Sequence, residues 1–116
     1  ITNSASVKKL DAIRARLDLF HRIREINSKI DSDLASFVLE PIPEIFRQVY
    51  NMLIDSGVTV KNFRLIVKRK FPYLDLDLKY IFNLKQIKVN FIQRFFYKSY
   101  RIKLMYGYNL LRKVFK

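Results

Sequence analysis

Two glycines and three prolines in 116 residues constrain what this chain can fold into more than any other feature. Sheet proteins turn often, and their turns draw on Gly, Pro, Asn and Asp. A chain with so little punctuation runs in a few long helices, so the expected class is all-α. Half of the residues are hydrophobic, which is enough for a real core and does not fit intrinsic disorder. One domain over residues 1–116 is expected at this length.

The apolar spacing predicts a long first helix, from about Ser6 to Val38. Its stripe is Leu10, Ile13, Leu17, Phe20, Ile23, Ile26, Ile30, Leu34 and Phe37, and every step is three or four, as one helix face requires. Unbroken, such a helix is about 48 Å long, whereas a compact domain of this size has a radius of gyration of only about 13 Å. The helix therefore either projects, pairing with a second copy through residues 6–38, or breaks. Asn27-Ser28 and Asp31-Ser32-Asp33 are the candidate break points, because their side chains compete for backbone hydrogen bonds. The stripe slips out of heptad phase between Phe20 and Ile30, which favours packing on the rest of the domain over a coiled coil.

Pro41-Ile42-Pro43 marks the next boundary, where each proline biases its predecessor toward an extended backbone. Pro43 and Glu44 suit the start of a helix with Ile45, Phe46, Val49, Tyr50 and Leu53 inward, ending at Gly57. Thr59 is the expected N-cap of a helix over Val60 to Lys70 that buries Phe63, Ile66 and Val67 and stops at Phe71-Pro72. Asp75 is expected to cap a helix from Leu76 to Lys88, with Leu78, Ile81, Phe82 and Leu84 inward. Ile87 to Phe91 alternates like a short strand. Asn90 to Phe115 reads as one aromatic-rich helix with a weak point at Gly107, burying Phe95, Ile102, Met105 and Leu110. The architecture expected is a long N-terminal helix followed by a compact bundle of about four helices.

Catalytic chemistry finds few candidates. There is no cysteine and one histidine, His21, so neither a triad nor a His- or Cys-rich metal site can be assembled. Asp31/Asp33 and Asp75/Asp77 are spaced i, i+2, off a common helix face, and Asp75-Leu76-Asp77 lacks the glycine and closing glutamate of a calcium loop. No glycine-rich phosphate loop is present. The expectation is a non-enzymatic protein without cofactor, metal or small-molecule substrate. The longest uncharged stretch, Leu104 to Leu111, has 8 residues, too few to span a bilayer, and no signal-peptide pattern opens the chain. An intracellular protein is expected, in cytoplasm, nucleoid or nucleus. A first residue of Ile rather than Met is what a fragment or processed form would show.

Charge supplies the positive signal. The net charge is +13, and it is unevenly placed. Residues 1–40 carry seven Lys/Arg against six Asp/Glu, and residues 41–116 carry sixteen against four. Excess charge of one sign repels itself in the folded state and suits a partner that neutralises it. The three helices over 43–88 match a helix-turn-helix-like unit in number and size, although the Phe71 to Asp75 turn is long for one. In that reading the third helix enters the major groove of DNA and presents Lys79, Tyr80, Asn83, Lys85, Gln86 and Lys88. Lys61, Arg64, Lys68, Arg69 and Lys70 hold phosphates. Arg94, Lys98, Arg101 and Lys103 recur at steps of four, three and two, at least three of them on one basic stripe among the rings of the last helix, a pattern that also serves single strands. A DNA-binding accessory or regulatory protein is the leading expectation. The alternatives are a peripheral membrane or phosphoinositide-binding domain using residues 90–116, and a helical interaction module with an acidic protein partner.

Overall fold

A computed structural model describes residues 4–26, 32–83 and 87–114, apart from the side chains at 4–7, 32, 33 and 75. The described chain is a helical bundle with no β-strand. Its elements are α1 (Ser4–Ile26), α2 (Ser32–Leu39), α3 (Ile42–Asp55), α4 (Val60–Lys70), α5 (Leu74–Asn83), α6 (Phe91–Arg101) and α7 (Met105–Val114). The Cα radius of gyration is 14.4 Å and the extents are 42 × 28 × 22 Å, so α1, about 35 Å at 1.5 Å per residue, runs along most of the long axis.

The stripe on α1 is buried as far as Phe20: Leu10, Ile13, Leu17 and Phe20 face inward, while Ile26 is 88% exposed. The helix lies along α3 and also meets α2. A single helix from Ser6 to Val38 is therefore replaced by two. The candidate break points at Asn27, Ser28 and Asp31, and the stripe residue Ile30, lie outside the described residues, and Ser32 opens α2. The inward face of α2 is Ala35, Val38 and Leu39, with Phe37 74% exposed and Leu34 also open. That set continues in helical steps into Ile42, Phe46, Val49, Tyr50 and Leu53 of α3. Alternative stripes one residue apart coexist here, and packing against α1 selects the one with Ala35, which permits close approach.

The expected extended segment at Pro41 is instead a tight, nearly helical turn. Pro41 has φ −71° and ψ −16°; Glu40 donates its N–H to the Ser36 carbonyl, and Pro41 accepts from Ile45 N–H. Proline's own φ suits a helix start, and α3 begins one residue before Pro43. At the other end Gly57 adopts φ +101°. Its N–H bonds to the Ile54 carbonyl and the Val58 N–H to the Leu53 carbonyl, the paired bonds of a left-handed helix stop.

Thr59 caps α4 as expected, its hydroxyl oxygen accepting the Asn62 N–H at 3.1 Å. Phe63 and Val67 are buried, with Ile66 half-buried. Helix α5 starts two residues earlier than predicted, so Asp75 lies inside its first turn rather than at the N-cap. Its described residues run to Asn83, and Lys88 lies outside the helix. Leu74, Leu78 and Ile81 are its buried side chains; Leu84 lies outside the described residues. The strand-like Ile87–Phe91 alternation survives only as burial of Ile87 and exposure of Lys88, with no strand among the described residues to pair with it. Asn90 caps α6 reciprocally with Gln93.

The long last helix breaks, though not at Gly107. The break comes at Ile102-Lys103-Leu104, where Lys103 takes φ 61° and the N–H groups of Lys103 and Leu104 bond to the Tyr100 and Ser99 carbonyls. The resulting α6–α7 hairpin turns Phe96, Tyr100, Met105 and Tyr108 inward. Phe95 is half-buried against Gly107, and Ile102 and Leu110 are exposed, contrary to the expected face. The inward rings join Phe46, Tyr50 and Phe63 in an aromatic core with centroid separations of 4.9–6.1 Å. Edge-to-face pairs of this kind contribute roughly 0.5–1.5 kcal/mol each beyond their burial. Two of the buried tyrosines hold their hydroxyls in hydrogen bonds: Tyr50 donates to Asn109 and Tyr108 to Asn51, both at 2.8 Å.

Candidate functional site

The break at Lys103 has a consequence for charge. By ending α6 there, the fold brings Tyr97, Tyr100, Arg101 and Lys103 alongside α4 and α5, and a groove of about 460 Å³ opens between them. The floor is apolar, with Val67, Phe71 and Leu74. Five cations line it, namely Arg64 and Lys68 from α4, Lys79 from α5, Arg101 from the last turn of α6 and Lys103 just beyond it, and among the described side chains no acidic one does.

The described acids of this half of the chain are engaged elsewhere. Glu44 holds Arg47 through two charge-assisted bonds, from Nε at 2.8 Å and Nη2 at 2.7 Å. The Arg47 side chain, with further help from Gln93 and Gln48, keeps the Glu44 carboxyl below its usual pKa against the opposing effect of burial. The same pairing pushes the Arg47 guanidinium up. Asp55 pairs with Arg112 across the α3–α7 contact. Asp77 turns toward α1 and meets His21 at 3.2 Å; burial raises its pKa, with His21 opposing. The Glu44 pair lies within α3, those of Asp55 and Asp77 fasten helices together, and the three leave the groove cations unopposed by any described carboxylate on its walls.

Of the predicted binding residues, Arg64, Lys68, Lys79 and Arg101 come together in this groove. Arg64 is also structural: its guanidinium lies 4.3 Å over the Tyr100 ring and donates to the Tyr100 carbonyl at 2.7 Å. Lys61 and Arg69 are exposed on α4, and Asn83 and Lys88 are exposed at and beyond the end of α5. Arg94 and Lys98 are exposed on α6, in helical step with Arg101. Two residues have other work. Lys70 pairs with Asp11 of α1 at 2.8 Å, and Tyr80 is half-buried, 5.5 Å from Phe20 and beneath the Arg24 guanidinium. Lys85 and Gln86 lie outside the described residues. The turn between α4 and α5 is Phe71–Tyr73, shorter than the sequence suggested.

The sequence places Lys103 on the basic stripe of the last helix but not beside α4 and α5, and gives Leu76 no part in the site. Lys103 enters it because of a left-handed backbone that no glycine announces. Leu76 was taken for a first-turn residue, whereas it is 68% exposed on the groove wall. Among the described residues no three His, Asp or Glu side chains gather into a metal-binding group, and no helix is long and apolar enough to cross a membrane. Comparison with protein-family models, with curated proteins and with solved structures finds no match for this chain.

Proposed function

We propose that this chain is a non-catalytic nucleic-acid-binding protein with an accessory or regulatory role, which neutralises phosphates along the groove and the adjoining basic stripe of α6. One observation carries the reading: five cations, from α4, from α5 and from the end of α6 and the turn after it, converge on one concave surface with no acid among its described side chains. Like charges gathered this way destabilise the fold, and a polyanion removes that cost by binding. Exposed Arg94 and Lys98 extend the surface along α6. For duplex DNA, the outward Lys79 and Asn83 of α5, spaced i, i+4, are the residues suited to base edges.

The test is an anisotropy titration with labelled duplex and single strand over a range of salt. If about six phosphates are neutralised, the log–log slope of affinity on salt is near −5. Affinity without salt dependence, or none at all, rejects the reading.

A second reading has its own support. Leu76, Ile102 and Leu104 are exposed beside Lys79, Arg101 and Lys103, which is the pairing an anionic lipid surface attracts. Vesicles containing anionic lipid belong in the same titration.

A further inference from the structure

We infer that the groove takes single-stranded nucleic acid in preference to a duplex, with Tyr73 and Tyr106 as the rings on which bases stack. This rests on the nucleic-acid reading and narrows it. Tyr73 lies in the α4–α5 turn between Pro72 and Leu74, both of which line the groove. Tyr106 lies in the first turn of α7, shortly after the groove cation Lys103. The two rings are 74% and 77% open to solvent, whereas Tyr50, Tyr100 and Tyr108 are buried in the core. Two large rings left outside a well-filled aromatic core, each within three residues in sequence of a groove-lining side chain, are suited to a single-strand platform, in which a basic track follows the backbone and π-faces receive successive bases.

The alternatives use these features less well. A duplex keeps its base faces in its own stack and offers only phosphates and groove edges. It would bridge the rims of the groove without filling it and leave both tyrosines with nothing to stack on. A volume of about 460 Å³ is instead of the size that takes small organic groups, roughly 300–1,000 Å³, and a flexible strand can thread its sugar-phosphates through it. A bilayer surface meets convex tips, and cations that converge on a concavity are held back from it.

The experiment compares labelled oligo-dT with a labelled duplex of the same phosphate number, and with phosphatidylserine-containing vesicles, at about 150 mM salt. The strand is expected to bind about tenfold more tightly than the duplex. Tyr73→Ala and Tyr106→Ala should each weaken strand binding by about tenfold and leave duplex binding unchanged. Because both rings are exposed, circular dichroism of the variants should match the parent. Equal affinity for strand and duplex, or tyrosine variants that affect both alike, overturns the inference and leaves the nucleic-acid reading standing. Failure to bind either nucleic acid, with or without vesicle binding, overturns both.

Discussion

Arg64 donates a hydrogen bond to the Tyr100 carbonyl at 2.7 Å while its guanidinium lies 4.3 Å over the same residue's ring. Tyr100 stands in the last turn of α6, where carbonyls lack intrahelical partners and the helix dipole favours a cation. One side chain of α4 thus closes the end of α6 and fixes the wall of the groove.

Arg64→Ala should therefore lower stability by about 1–3 kcal/mol, through the lost charge-assisted bond and the lost ring contact. Arg64→Lys should recover only part of this, since an ammonium cannot stack flat and donate in the plane together. Urea denaturation of the three proteins checks both statements.

Gly57 and Lys103 occupy the same position in two helix stops, with φ of 101° and 61°. An added Cβ at Gly57 would meet nothing within 4 Å, so Gly57→Ala isolates the backbone cost and should destabilise by about 1–2 kcal/mol. Lys103→Gly should do the reverse, raising stability by about 0.5–1 kcal/mol, while weakening nucleic-acid binding because a groove cation is lost. Denaturation midpoints and one binding titration separate the two effects.

Acid should act on two carboxylates with opposite sign. The Glu44 pKa is lowered in the fold from 4.5, so its contribution is present above that value and is lost as pH falls through the folded pKa. The Asp77 pKa is raised from 3.8 by burial. The unfolded chain ionises first there, and stability falls as pH rises from that value through the folded pKa. Glu44→Gln should cost roughly 1–2 kcal/mol near neutral pH, toward the lower end because its side chain is 34% exposed, and should flatten the acid limb of stability. Asp77→Asn should be neutral or stabilising near neutral pH. Thermal melts from acid to neutral pH read out both.

Phe46 touches Phe63, Phe96 and Tyr100 at centroid distances of 5.8, 5.5 and 5.3 Å. It joins α3 to α4 and to α6, so Phe46→Ala should cost about 3–5 kcal/mol, a large share of the roughly 5–15 kcal/mol typical of a domain. Near-ultraviolet circular dichroism should lose its aromatic signal together with the melting temperature.

Much of this fold was legible where local chemistry has one answer. Thr59 and the Phe71-Pro72 stop bound α4, and Gly57 ends the signal of α3, because capping and left-handed turns select few residue types. The misreadings fall where two answers were locally equal. In α2 and α6 apolar residues occupy adjacent faces, so Phe37 and Ala35, or Phe95 and Phe96, compete, and tertiary packing chose between them. The stop at Lys103 carried no local signal at all. All five groove cations could be named from charge and helix phase, but their convergence depended on that stop.

The central claim is that location, and not net charge alone, makes the binding surface. It is tested most directly by two triple variants of equal charge: Lys68→Glu, Lys79→Glu, Arg101→Glu in the groove, and Arg14→Glu, Arg22→Glu, Lys113→Glu at exposed positions away from it. Salt-dependent titration of each with nucleic acid should show that the groove variant loses affinity and about three units of salt slope, while the control loses little of either. Equal losses in the two variants would contradict the account and reduce the binding to unplaced charge.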